Sequence, residues 1–305
     1  MNIVITLIKL RNVPFQTIDA LFEPFDLGFV QRALFGGALV AVLCGVVGTW
    51  VVIRGMAFLG EALAHGMLPG VALATVLGVP VMIGGALSAV AMSLGITALQ
   101  RRGTLSYDTS IGMLFVSMLA LGVIVISHSG SFATDATSIL FGDILAITHT
   151  DLYLLAGAAA LGVAVAALFH RPLVAVALDP RIASVLGLGP RSAQAVLVAL
   201  VTLAVVASYQ AVGSLLVVGL LLAPAVAAGQ WTTRIPTRML VAAVLGMLSV
   251  FGGLLISWHA AIAAGASVAA TAIAVSGLSY AIRSAVTATR HRPTSPERNT
   301  CAPAS

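Results

Sequence analysis

Charge is what this chain lacks. Asp, Glu, Lys and Arg make up 8% of its 305 residues, against about 25% in a soluble domain. Hydrophobic residues make up 60%, and the mean hydropathy is +1.09. No polar block large enough to fold by itself interrupts the apolar stretches between residues 29 and 283. That excludes a soluble multidomain protein and leaves one integral membrane domain. Lys9 is the sole lysine, so the chain has no phosphate-cradling loop with its lysine and no ATP hydrolysis by that route. Cys44 lies in the first apolar run and Cys301 in the polar tail, which excludes both a disulfide framework and a CxxC metal site. Aromatics are only 6% and do not interleave with the basic residues. The net charge of +5 therefore does not read as nucleic-acid binding; the arginines fall in short loops and act as topology determinants.

What is present is a series of apolar runs. A bilayer core needs about 20 apolar residues per helix, and the hydropathy pattern predicts an all-α polytopic membrane protein with eight or nine transmembrane helices. Candidate spans cover 30–53, 57–79, 81–100, 109–127, 151–169, 193–210, 213–230, 238–257 and 262–282. With the Arg54 loop inside, alternation places 12 of the 15 basic residues on the cytoplasmic side, leaving only Lys9, Arg11 and Arg32 outside. By the positive-inside rule the N-terminus is then extracytoplasmic and the C-terminus cytoplasmic. The outer side collects Asp19, Glu23, Asp26, Asp135, Asp143 and Asp151, either an acidic mouth that attracts cations or ordinary solvated loops.

Lys9, Arg11 and Pro14 interrupt the first residues, so they do not form a cleavable signal peptide. Residues 1–29 read as an N-terminal segment with an interfacial helix over 17–29 that lies against lipid. The transmembrane domain covers 30–286, and residues 287–305 form a polar, proline-rich cytoplasmic tail expected to be disordered.

Ionisable side chains inside a span are costly unless they pair, face a polar cavity or bind an ion. Glu61 and His65, in FLGEALAHGMLPG, are such residues. Four positions apart, they share one helix face, which makes them half of a metal site or an internal Glu–His pair. Carboxylate suits Mn²⁺, imidazole suits Zn²⁺ and Fe²⁺, and by pattern alone both readings stand. His259 is a possible further ligand or an interfacial anchor. His128 and His149 flank the outer loop, and Asp108 is placed to cap the fourth span. Pro69, Gly70 and Pro224 interrupt helical hydrogen bonding and mark kinks that in transporters frame a substrate path. ILFGDILAI (139–147) suggests a short re-entrant or surface helix. Pro180 to Leu188 forms a short amphipathic piece, with Asp179 before it and Gly187 and Gly189 ending it. Small residues crowd the last span, AAIAAGASVAATAIAVSG, and invite close helix packing.

Six blocks in order carry a resemblance: EPFDLGFVQRAL (23–34), GTWVVIRGMAFLGEALAHGMLPGVALA (48–74), YDTSIGMLF (107–115), SILFGDILAIT (138–148), DPRIASVLGL (179–188) and VGSLLVVGLLLAPAVAA (212–228). Together they resemble the membrane permease of the manganese/zinc/iron ABC import family, over nearly the whole chain except the tail. The resemblance implies an ABC importer permease fold and a homodimer with no catalysis or intrinsic cofactor of its own. It also implies a separate cytoplasmic ABC ATPase and an extracytoplasmic metal-binding protein as partners, with manganese, zinc or iron as the transported ion. It implies Glu61 and His65 as ligands along the metal path, and DPRIASVLGL as the coupling helix, with Asp179, Arg181 and Gly187 touching the ATPase. Glu61 stands where the family frequently has Asp, and ISWHAAIAAGAS departs from the family's pattern near the last span, where His259 stands. A self-sufficient secondary cation transporter, or an intramembrane metalloenzyme built on Glu61 and His65, are the alternative readings.

Overall fold

The computed structural model describes residues 23–102, 106–129, 144–185, 187 and 189–290. The described residues are helical, with no strand among them. In chain order the helices are α1 (Gly28–Ile53), α2 (Phe58–Gly66), α3 (Leu68–Leu77), α4 (Val81–Arg102), α5 (Tyr107–Ser129), α6 (His149–Leu168), α7 (His170–Leu178), α8 (Pro180–Val185), α9 (Pro190–Trp231), α10 (Ile235–Ala260) and α11 (Ala264–Arg290). Short 3-10 turns at Glu23–Asp26 and Ile144–Ala146 precede α1 and α6. Among the described residues eight segments are long and apolar enough to cross a membrane, and a shorter apolar helix spans Leu216–Trp231. Of the interfacial helix expected over 17–29, residues 17–22 lie outside the described residues, while 23–26 form a 3-10 turn and Gly28 already opens α1; residues 139–143 of the outer-loop helix and the tail beyond Arg290 also lie outside the described residues.

α1 is the hub. Two-thirds of its most apolar window is buried, and it packs on α9, α10 and α6. In lipid, apolar burial gives no bias between protein and tails, so close backbone approach through small residues supplies the packing. Gly48 shows how: a Cβ there would overlap the Leu221 carbonyl. Gly70 and Gly84 likewise bring α3 and α4 together backbone to backbone.

α9 is formally one helix of 42 residues, but Gly213 inside it has φ 74° and ψ 165°, which glycine tolerates without a Cβ penalty. The contacts along α1 show what this break does. Near the start of α9, Gln194 accepts a hydrogen bond from Arg54 Nη2 at 2.6 Å, and Leu203 meets Gly162 beside Leu43. Beyond Gly213, Cys44 Sγ approaches the Val217 carbonyl at 4.0 Å and Gly48 faces Leu221. Contacts thus run up α1 from 54 to 43 and then down from 44 to 48, so the two arms of α9 pass α1 in opposite directions. The expected division into 193–210 and 213–230 falls at this reversal. The second arm, Leu216–Trp231, is about 24 Å long at 1.5 Å per residue, short of the ~30 Å bilayer core. The helix continues past Pro224, and Gly213 is its non-helical residue.

The other interrupted span is the second. α2 ends at Gly66 and α3 begins at Leu68, with Pro69 in the first turn of α3. Proline has no N–H to give the His65 carbonyl four residues back. The Gly66 carbonyl is satisfied from another helix, by Ser88 Oγ at 2.6 Å. At the α1 end, Arg54 donates to the Val176 carbonyl as well as to Gln194, tying the end of the first span to α7 and α9. At the opposite end, Arg32 Nε donates to the Ile147 carbonyl at 3.0 Å and holds the turn before α6 against α1.

Candidate metal path

α2 carries the polar pair. Its apolar side is pinned on three neighbours: Gly60 lies against Leu221 of α9 and Gly66 against Met92 of α4, while Phe58 meets Phe115 of α5 edge-on at 5.5 Å between ring centres. Glu61 and His65 lie on the same face as Phe58, turned toward α5. The His65 Nε2–H donates to Glu61 Oε1 at 2.9 Å, and the other side of the imidazole abuts Phe115, 5.7 Å centre to centre. The carboxylate keeps 38% of its side-chain exposure and the imidazole 26%. Neither side chain is sealed in protein.

The pair is therefore a hydrogen-bonded carboxylate–imidazole unit on a short helix that stops one residue after His65. A divalent ion would displace the shared proton, because only a neutral imidazole and an ionised carboxylate are ligands. Among the described residues no cluster of three or more His, Cys, Asp or Glu side chains exists, so the described residues supply two such ligands here and no third.

The remaining sequence candidates lie apart. His259 is exposed at the end of α10, its Nδ1 2.9 Å from the Leu255 carbonyl, and forms no ligand group with Glu61 and His65. His149 opens α6 and is exposed; the neighbouring cap is a box in which Thr148 Oγ1 accepts from the Asp151 N–H while the Asp151 carboxylate accepts from the Thr148 N–H. His128 lies in the last turn of α5, with its side chain outside the described set. Asp108 sits in the first turn of α5, where its charge complements the helix dipole. The capping side chain is Ser106, which accepts from the Thr109 N–H at 3.2 Å, so the cap expected of Asp108 belongs two residues earlier.

The segment read as a coupling helix forms α8, between α7 and α9. Asp179 is extended, with φ −156° and ψ 119°, and breaks α7 from α8; its carbonyl accepts from the Ala183 N–H at 3.1 Å. Gly187 follows with φ +70° and is exposed, a position where a side chain would be strained. The side chain of Arg181 is outside the described set. Sequence reasoning missed the roles of Arg54 and Gly213. Arg54 served only as a charge marker for topology, and its two acceptors lie more than a hundred residues away.

The model of the ABC 3 transport family matches residues 26–283. The chain is 34% identical over 252 residues to the manganese transport system membrane protein MntC of Halalkalibacterium halodurans, covering 83% of this chain and 86% of that one. It is 35% identical to the manganese import system permease protein ScaB of Streptococcus gordonii (84% and 92% covered). It is also 31% identical to a probable iron transport system membrane protein of Haemophilus influenzae (79% and 89%). Among solved structures, PsaBC from Streptococcus pneumoniae in complex with Fab superposes with a TM-score of 0.75 at 31% identity, covering 87% of this chain and 95% of that one. An inward-facing putative metal-chelate type ABC transporter shares the fold at TM-score 0.67 and 18% identity, over 89% and 91% of the two chains. The six ordered sequence blocks and these likenesses agree: the chain belongs to the ABC 3 transport family and is a membrane-spanning transporter permease.

Proposed function

We propose that this permease imports a divalent transition metal, manganese, iron or zinc, and that the ion passes Glu61 and His65. The observation that carries the reading is the pair itself: a carboxylate and an imidazole 2.9 Å apart, both partly exposed, on a half-helix inside a candidate span. The relatives named for manganese and iron transport support the substrate class. Both groups ligate such ions, and the hydrogen bond between them keeps the two ligand atoms together when no ion is held. The rest of the coordination comes from water, the binding protein's handover or a second copy of the chain across a homodimer axis.

ATP hydrolysis belongs to a separate cytoplasmic ABC ATPase that seats on α8, with Asp179, Arg181 and Gly187 at the contact. An extracytoplasmic metal-binding protein loads the opposite face. The arginine asymmetry supports this orientation, with the α8 side and the C-terminus cytoplasmic. The two interrupted elements, α2/α3 at Met67 and α9 at Gly213, both pack at the site, since Gly60 touches the second arm of α9. They are the discontinuities about which alternating access turns. Coexpression with the ATPase and binding protein tests the assignment: Glu61→Gln and His65→Ala each abolish metal accumulation while leaving insertion and ATPase association intact. Wild-type uptake in both removes these residues from the path.

A further inference from the structure

A second polar site lies away from the metal pair, at the end of the bundle that carries α8. There the last turns of α4, the start of α5 and the start of α9 enclose a cavity of about 170 Å³ lined by Thr97, Gln100, Tyr107, Arg191 and Gln194 beside Pro190. At ~30 Å³ per water this has room for about six waters, or for one compact polar headgroup.

Its chemistry is that of a donor set. Arg191 lines the cavity, is exposed and makes no ion pair or hydrogen bond among the described residues, so its fork of N–H groups is available to a ligand there. The Tyr107 hydroxyl is buried, with the Gln194 amide and the Arg54 guanidinium acting on it from one side. Gln194 gives its oxygen to Arg54 Nη2, and its side chain also interacts with Tyr107. Two residues present acceptors as well: Thr97 donates its hydroxyl proton to the Ser93 carbonyl at 2.8 Å, and Gln100 donates to Ser110 Oγ at 3.1 Å. One carboxylate stands near, Asp108 beside Tyr107, and it is exposed. The metal path uses none of these groups.

Position narrows the ligand. The lining residues stand at the ends of three candidate spans, Val81–Gln100, Tyr107–Val125 and Pro190–Tyr209, the level of the lipid headgroups. Arg101 and Arg102 follow directly in the chain. A guanidinium, a phenol and an amide converging at a membrane boundary match a phosphate, with arginine taking two of its oxygens together. Basic pockets between spans on a cytoplasmic face hold anionic headgroups in this manner.

We infer that the cavity between α4, α5 and α9 binds a phosphate group, anchored by Arg191 and Tyr107, next to the segment proposed to couple to the ATPase. The site does not depend on the transported ion, and its test reads no transport. The purified full-length permease is placed in nanodiscs of phosphatidylcholine with or without phosphatidylglycerol, and bound lipid is counted by native mass spectrometry after release into detergent. Wild type retains phosphatidylglycerol, whereas Arg191→Gln and Tyr107→Phe each weaken retention about tenfold, the effect of one charge-assisted hydrogen bond. A parallel titration with inorganic phosphate separates the sources. If phosphate raises the melting temperature of the phosphatidylcholine sample, and Arg191→Gln removes that rise, the ligand is free phosphate. Equal phosphatidylglycerol retention by wild type and both variants, with no phosphate response, overturns the site. Loss of ATPase association in Arg191→Gln with lipid retention unchanged also overturns it, by assigning the arginine to a protein partner.

Discussion

Gly48→Ala puts the packing argument at risk without touching a ligand. The added methyl would overlap the Leu221 carbonyl, a backbone group on the second arm of α9. A clash with a flexible side chain is relieved by a rotamer change; this one is relieved only by moving α1 and that arm apart. Small-to-large changes in a packed interior cost about 1–3 kcal/mol, and the lack of a rotamer escape puts this one at the upper end. Leu221 also packs on Gly60, one residue before Glu61, so the displaced arm withdraws support from the metal pair. The expected outcome is an apparent melting temperature several degrees below wild type in a fluorescence thermal scan, with metal uptake reduced at normal membrane abundance. Gly157→Ala is the matched control. Nothing lies within 4 Å of a Cβ at Gly157, and an alanine in a helix gains up to ~1 kcal/mol over glycine. Wild-type melting and uptake for Gly48→Ala, or equal losses for both variants, would refute the reasoning that backbone approach at Gly48 holds the site.

Arg54→Gln should lose the bonds to the Val176 carbonyl and Gln194, at a cost of about 2 kcal/mol for charge-assisted bonds at a half-exposed site; limited proteolysis should then cut the α7–α8 region faster, and unchanged cleavage would deny the clamp. Gly187→Ala should strain the turn after α8 by about 1–2 kcal/mol, since the residue sits at positive φ, and should weaken co-purification of the ATPase while sparing insertion; undiminished co-purification would argue against docking there. Ser88→Ala should leave the Gly66 carbonyl without a donor, costing about 1–3 kcal/mol, and a thermal scan indistinguishable from wild type would show that water or lipid replaces it.

The spans were legible because lipid imposes a length and a composition on any helix that crosses it. The runs at 30–53, 81–100 and 238–257 needed no tertiary information, and α1, α4 and α10 cover them. The break in the second span was legible in part. Pro69 and Gly70 signalled it, and α2 ends just before them, at Gly66, because the proline removes a bond to a residue four positions back. The reversal at Gly213 appeared in sequence only as a gap between two apolar runs, since its direction is set by which residues of α1 each arm meets. At the site, spacing alone was enough to place Glu61 and His65 on one face, and the 2.9 Å contact follows from it. The partners of Arg54 and the cavity at Arg191 and Tyr107 were not legible. They depend on side chains reaching between helices far apart in the chain, and no local pattern encodes that reach.

The most direct test of the central claim is uptake into proteoliposomes that hold the permease with its ATPase, with the loaded binding protein supplied at the extracytoplasmic face and ATP at the other. The account expects ATP-dependent accumulation of manganese, iron or zinc by wild type, with Glu61→Gln and His65→Ala each at least about tenfold lower while ATPase association is retained. Accumulation by the permease alone under a proton gradient, or undiminished ATP-driven uptake by both variants, would contradict it.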